Sequence, residues 1–311
     1  MTTALPVAPV KGEEHWTRKG DPRLFMWEKR TPLPNKRGTI MFVHGSSMAS
    51  QPTFDLQVPG RVDSSAMDYF ASQGFDTWCF DMEGYGRSDK HRDITYDIAN
   101  GADDCGIVAD YIMKTRNTGP LLVYGISSGA LRAAVFAERH PERVKRIVLD
   151  AFVWTGEGSP TLAERKKKLP EYVKAGNRRA VNPAFVQSIF DRDHPGTADQ
   201  DVIDAFAKAI CALDDSVPIG TYIDMCTKLP VVNPEKLTVP TMIMRGQWDG
   251  IASFEDLLKF FEKLPNPDKQ FAVMPGISHA SIQQKNYDIV YHILLSFFTQ
   301  PEPRYKIGRA H

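Results

Sequence analysis

Along the chain, short apolar runs that stop at glycine or in a polar turn alternate with longer stretches in which apolar residues recur at helical spacing. RLFMWEKR (Arg23–Arg30) reads as an early strand after a loose N-terminus, and TPLPNKRG as a turn. TIMFVHG (Thr39–Gly45) has the pattern of a buried strand ended by glycine, and a long loop follows through Gly60. SSAMDYFASQG (Ser64–Gly74) joins a serine N-cap candidate to helical periodicity and a terminal glycine. Asp76–Asp81 predicts a strand that runs into a Gly-rich turn. Asp97–Arg116 predicts a helix on which Ile98, Ile107, Val108, Tyr111 and Ile112 share a face, although Gly101 and Gly106 interrupt it. Leu121–Tyr124 and Arg143–Phe152 predict two further strands, separated by a helix from about Ser128 to His140.

Such alternation predicts an α/β protein with a mostly parallel sheet covered by helices on both faces. It breaks between about Trp154 and Val232, where helical candidates at Leu162–Lys174, Pro183–Phe190, Val202–Leu213 and Ile219–Lys228 follow one another with no clear strand. This predicts a helical insertion over 154–232 in a core built from 1–153 and 233–311. Alternation resumes with a strand at Val239–Gly246, a helix near Phe254–Leu264, a strand at Gln270–Met274 and a last helix through roughly Phe298.

Composition narrows the class. Of 311 residues, 42% are apolar and 24% charged, which suits a globular protein with a sizeable core. Lys+Arg and Asp+Glu both number 38, so no net charge draws the chain to nucleic acid or to an anionic membrane. No apolar run approaches the roughly 18 residues of a membrane span. MTTALPVAPVKGEEHW lacks the basic start and apolar stretch of a secretory signal. Cys79, Cys105, Cys211 and Cys226 are far apart, as expected of buried free thiols in a reducing compartment. No His/Cys cluster has zinc-ligand spacing, so neither metal nor cofactor is expected. The expectation is a soluble, cytoplasmic protein whose association into a homo-oligomer stays open.

Candidate chemistry enters at LLVYGISSGA (Leu121–Ala130), a Gly-x-Ser-x-Gly turn between a strand and a helix. On one reading the sharp turn lifts Ser127 to the C-terminal edge of the sheet, beside free backbone N–H groups of the helix, where the Ser128 amide can face a developing oxyanion. On the other it is a glycine-rich turn with incidental serines, and the motif alone does not decide. A serine hydroxyl needs a base, and the base an orienting acid. MPGISHAS ends the last strand in a loop holding His279, and MRGQWDGIA ends the preceding strand in a loop holding Asp249. Both loops fall at the sheet edge where open α/β sheets bind ligands. Asp150, at the end of its own strand, is a rival acid; Asp249 is favoured because its loop immediately precedes the histidine-bearing strand. His44 is a rival base that reads better as shaping its own loop.

With VHGS, DMEGYGRSD, YGISSGA, RGQWD and GISHAS in this order, the sequence resembles the α/β-hydrolase superfamily from about Arg23 to Phe298. The resemblance implies the α/β-hydrolase fold, with Ser127 as nucleophile, Asp249 as acid and His279 as base. It also implies an oxyanion hole from the backbone N–H groups of Ser46 and Ser128, and a cap domain in the insertion. Many relatives carry a second glycine where this chain has Ala130, and alanine is still small enough for helix packing. The implied activity is hydrolysis of a small carboxylic ester through an acyl-enzyme. Haloalkane dehalogenase and epoxide hydrolase chemistry do not fit, because those relatives use Asp at the position of Ser127. A C–C bond hydrolase or lactonase on the same triad, and a non-catalytic ligand receptor on the same fold, are the competing readings.

Trp154, Trp248, Met48 and Phe152 fall beside the candidate loops and could wall a substrate. In ERKKKLPEYVKAGNRR, the side chains of Arg165, Lys166, Lys167, Lys168, Lys174, Arg178 and Arg179 read mostly as a solvated helix face. The alternative is that one or two reach into the cleft and pair with a substrate carboxylate. The ester is then anionic, such as a monoester of an aromatic dicarboxylic acid (a monoalkyl phthalate). His15, His91, His140, His194, His292 and His311 lack motif context, and Asp81 with Glu83 reads as turn structure.

Overall fold

Two strands pair antiparallel at the start of the chain, β1 (Gly12–Arg18) and β2 (Arg23–Lys29). The computed structural model describes residues 9–304; residues 1–8 and 305–311, His311 among them, lie outside it. Next come β3 (Gly38–Val43), α1 (Ser50–Phe54), α2 (Ala66–Ser72), β4 (Phe75–Phe80) and α3 (Ile98–Arg116). They are followed by β5 (Leu121–Ile126), α4 (Ser128–Arg139) and β6 (Val144–Asp150). The chain then leaves the sheet for α5 (Pro160–Lys167), α6 (Leu169–Lys174), β7 (Arg178–Ala180), α7 (Pro183–Asp191), α8 (Gln200–Cys211), β8 (Ser216–Pro218) and α9 (Gly220–Thr227). It returns with β9 (Thr241–Gly246), α10 (Phe254–Lys263), β10 (Lys269–Met274) and α11 (Tyr287–Phe298).

The main sheet has the order β1-β2-β4-β3-β5-β6-β9-β10, parallel from β4 to β10 and antiparallel at β1 and β2. Side chains on a strand alternate between faces, and here that alternation sorts the core into two layers. Met41, Val43, Val123, Ile147, Leu149 and Ile243 face α3, α4 and α10; Ile40, Phe42, Leu122, Tyr124, Val148 and Met242 face α1, α2 and α11. Continuous apolar strands are what a sheet buried on both faces requires. Helix starts carry the expected caps: the Ser65 side chain accepts from the Asp68 amide, and Asp97 from that of Asn100.

Three elements differ from expectation. The stretch before Arg23 is not loose: GEEHWTR forms β1, and His15 packs on Trp78 and bonds Glu28 at 3.1 Å. Its mixed charges hide the strand because only one side of an edge strand meets the protein. The long loop after Gly45 holds the short helix α1. The inserted segment is not purely helical, since β7 and β8 pair antiparallel as a separate two-stranded sheet. Three-residue strands are too short for periodicity to reveal.

The turn after β5 is tightly packed against its neighbours. Ser127 has φ 58° and ψ −127°, a region that costs a non-glycine residue about 1–3 kcal/mol. Its amide donates to the Asp150 carbonyl at 2.8 Å, which ties the strained residue to the next strand. A β-carbon on Gly125 would stand 2.6 Å from the Gly129 carbonyl oxygen. One on Gly129 would stand 2.5 Å from the His44 carbonyl oxygen and closer still to that of Val43. Ala130 is fully buried but has room for its methyl group. Gly129→Ala should therefore lower stability by more than about 2 kcal/mol, whereas Ala130→Gly should cost only about 0.5–1 kcal/mol through helix propensity. Urea unfolding midpoints check this; equal losses would contradict the close approach at Gly129.

Candidate active site

Three loops at the C-terminal edge of the sheet bring together one serine, one histidine and one aspartate. His279 Nδ1 donates to Asp249 Oδ1 at 3.0 Å, which leaves Nε2 to accept from the Ser127 hydroxyl at 2.9 Å. The Asp249 and His279 loops are stitched to each other. The Gln247 amide donates to the Met274 carbonyl and the Trp248 amide to that of Ile277, both at 2.9 Å. The Ile251 amide donates to Asp249 Oδ1 at 3.0 Å, so the acid is aimed before any ligand arrives. Asp249 and His279 are buried, and Ser127 stays partly accessible. The Ser46 and Ser128 backbone N–H groups flank Ser127: Ser128 opens α4, where first-turn amides have no intrahelical acceptor. Ser46 follows Gly45, whose β-carbon would stand 3.4 Å from that of Ser127.

Charge distinguishes the rivals. Burial would push the Asp249 carboxyl up, but the His279 charge and hydrogen bond, the Ile251 amide and the Arg192 charge together hold it below the usual carboxylate range. Asp150 is pushed up to about 7 by burial, and its Oδ2 accepts from the Tyr124 hydroxyl at 2.5 Å rather than facing His279. A carboxyl half-protonated near neutrality, and turned toward Tyr124, is poorly placed to stabilise an imidazolium. His44 is pushed down to about 3 by burial and by the Arg132 charge. It donates from Nδ1 to the Gly45 carbonyl at 2.7 Å and accepts at Nε2 from the Met82 amide at 3.0 Å, a neutral brace for its loop. Asp81 is likewise a brace: its carboxylate accepts from the Ser50 and Arg87 amides, while Glu83 pairs with Arg92.

The inserted segment leans against these loops. A cavity of about 1060 Å³ is lined by Arg165, Tyr172, Arg179, Phe185, Arg192 and Tyr222 from the insertion, and by Trp248 and Gly250 on either side of Asp249. Ser127 and His279 are not part of its lining; Arg179 joins it to the loop after β3, donating from Nη2 to the Ser46 carbonyl at 3.1 Å and to Ser47 Oγ at 2.9 Å. The guanidinia of Arg165 and Arg179 each lie 4.2 Å from the Tyr222 ring centroid. Arg165 is buried, contrary to a solvated basic face, whereas Lys166, Lys167, Lys168 and Lys174 are exposed. Arg178 bonds the Gly84 carbonyl and Ser216, a structural tie. Helical spacing could have flagged Arg165, since Thr161 and Leu162, one turn earlier, share its buried face.

Of the four side chains expected to wall a substrate, Trp248 lines this cavity and stacks on His194 at 4.5 Å. Phe152 is fully buried against Phe260, and Trp154 packs on the same ring while donating to the Val232 carbonyl at 3.1 Å. The cause is Asp256, whose carboxylate accepts the amides of Trp154, Thr155 and Gly156 and draws the chain after β6 onto α10. Met48 is half-buried against the core and outside the cavity lining. Not foreseen were Tyr222 and the Arg192–Asp193 pair, joined at 2.8 Å.

Two groups among the described residues bring acids and a histidine within metal-ligand range: Glu13, His15 and Glu28, and Asp193, Asp249 and His279. In each, an arginine already occupies the cation's place, Arg116 on Glu28 and Arg192 on Asp193. Among the described residues, no helix is long and apolar enough to cross a membrane.

Comparison with known proteins places the fold and the family. A family model described as serine aminopeptidase, S33, matches residues 34–286. A malate-bound thermophilic esterase from Thermogutta terrifontis is similar with a TM-score of 0.66 at 18% identity, over 92% of this chain and 97% of that one. A soluble variant of the Saccharomyces cerevisiae monoglyceride lipase, bound to a substrate analogue, gives 0.69 at 16% identity over 94% and 97%. E-2-(acetamidomethylene)succinate hydrolase gives 0.64 at 20% identity over 92% and 99%. At these identities the likeness is one of fold.

Tyr222 offers a direct readout of the cavity's charge. Burial alone would push its phenol up, but Arg165 and Arg179 outweigh it and bring it down to about 7. The folded value lies below the unfolded one near 10. Ionisation therefore contributes stability that is complete above pH 10 and lost as pH falls through about 7. Ultraviolet tyrosinate absorbance should show one tyrosine titrating around pH 7, absent in Tyr222→Phe; identical curves would contradict the paired cations.

Proposed function

We propose that the chain, which belongs to the serine aminopeptidase S33 family of α/β hydrolases, cleaves a small carboxylic ester through an acyl-enzyme. The observation that carries this reading is the continuous hydrogen-bonded path from Asp249 through His279 to Ser127, at 3.0 and 2.9 Å. His279 Nε2 takes the Ser127 proton as Oγ attacks the acyl carbon, and Asp249 holds the tautomer and stabilises the imidazolium. The Ser46 and Ser128 amides receive the tetrahedral oxyanion, a role in which losing one donor costs about 10²–10³ in turnover. The imidazolium then protonates the departing alcohol. Water activated by His279 releases the acid and restores Ser127.

Segment 154–232 acts as a cap on the core formed by 1–153 and 233–311. Its cations and aromatic rings support an ester that keeps one free carboxylate, such as a monoester of an aromatic dicarboxylic acid (a monoalkyl phthalate). All four cysteines are free, with Cys79 and Cys105 buried, which supports a reducing, cytoplasmic setting.

Purified protein should release p-nitrophenol from short acyl esters. Ser127→Ala should abolish release, while Ser128→Ala should reduce it far less, because Ser128 contributes a backbone amide. Asp249→Asn should lower kcat much more than Asp150→Asn. A protein inert toward esters that binds a ligand tightly would favour a receptor, and turnover confined to a vinylogous diketo acid would favour C–C hydrolysis.

A further inference from the structure

Two arginines from the cap share one tyrosine but differ in every other contact. Arg165, on α5, is 9% exposed and donates from Nη1 to Met225 Sδ at 3.7 Å. Among the described residues no carboxylate forms an ion pair with it; Glu164, on the same cavity, is exposed and pairs with Lys167. A desolvated guanidinium is costly unless a counter-charge meets it. The Tyr222 phenol, partly ionised near neutrality, is a counter-charge that a second cation, Arg179, shares. Arg179 is engaged with the loop after β3, on the Ser46 carbonyl and Ser47 Oγ, and packs on the rings of Phe185 and Tyr222 at 4.5 and 4.2 Å. The Tyr222 hydroxyl lies 3.4 Å from the same Ser47 Oγ.

We propose that the two arginines divide the work: Arg165, with Tyr222 beneath it, is the receptor for the free carboxylate of the substrate, and Arg179 is a positioning residue that holds the oxyanion loop through Ser46. The kinetic part of this rests on the ester-hydrolase reading; the binding part does not. A planar guanidinium presents a fork of N–H donors matched to a carboxylate, and the neighbouring Tyr172, Phe185 and Trp248 offer apolar faces to an aromatic acid. Arg179 fixes the carbonyl of Ser46, the residue whose N–H is the proposed oxyanion donor, so its loss loosens the donor and not the ligand. Carboxylate specificity and turnover thus reside on two arginines that share one ring.

The test has two arms. First, Ser127→Ala protein is titrated with phthalate by calorimetry, with and without Arg165→Gln. Charge-assisted hydrogen bonds of this kind correspond to about 10- to 100-fold in affinity, so phthalate should bind and Arg165→Gln should weaken it by that factor, with Arg165→Lys recovering part of the loss. Absence of phthalate binding, or binding indifferent to Arg165, would overturn the receptor assignment even if esters are hydrolysed well. Second, kinetics on a monoester and its diester separate the roles. Arg165→Gln should lower the monoester-to-diester ratio of kcat/KM at least tenfold, mainly through KM. Arg179→Lys should lower kcat on both esters by a similar factor and leave their ratio in place. An Arg179 variant that raises KM for the monoester alone would overturn its positioning role. If the wild type cleaves no ester, the function proposed above fails while the calorimetry still decides the subsite.

Discussion

The fold turns on a close passage of backbone, where Gly129 at the start of α4 lies against the carbonyls of Val43 and His44 at the end of β3. No side chain fits between them, so the helix can begin only a peptide's width from the neighbouring strand. That forces Ser127 into a conformation that costs energy, held by the hydrogen bond that its backbone N–H donates to the Asp150 carbonyl. The same passage sets the Ser46 and Ser128 amides beside one hydroxyl. On the proposed reading these amides form a donor pair that needs no rearrangement when negative charge develops, the condition under which such donors act most strongly.

Around this joint the core is organised by neutral or compensated groups, while in the inserted segment two arginines share the phenol of Tyr222. His44 is kept uncharged, Asp150 is close to half-protonated, and Asp249 keeps its charge through His279. Arg132, fully buried on α4, donates to Thr221 of the inserted segment at 2.6 Å and to the Tyr85 hydroxyl, so one side chain ties that segment to the loops of the main sheet. Above it, Arg165 and Arg179 face a single ring. On the proposed function, a site that polarises a carbonyl oxygen next to one that attracts a carboxylate suits a ligand with two unlike ends.

The sheet, its layers and the Ser–Asp–His constellation were legible because each has a local signature. Strands on both of whose faces helices pack must be continuously apolar, and Ser127, Asp249 and His279 each follow such a run in a short loop. Other features lack that signature. β1 is an edge strand of charged residues, and β7 and β8 are too short to have a period. Trp154 and Phe152 sit beside the site in sequence, but the Asp256 carboxylate pulls them onto α10, a decision made by a residue about a hundred positions away. Arg165 was hidden in a run of five basic residues within Arg165–Lys174, four of them solvated; only its spacing from Leu162 separated it from them.

The central claim is that the turn makes Ser127, and no neighbouring hydroxyl, the nucleophile. An electrophilic organophosphonate captures an activated serine as a stable adduct, and peptide mass spectrometry identifies the residue. The account predicts one adduct per chain, on Ser127, with capture lost in His279→Ala although the serine remains. An adduct on Ser128, or capture that does not depend on His279, would contradict it.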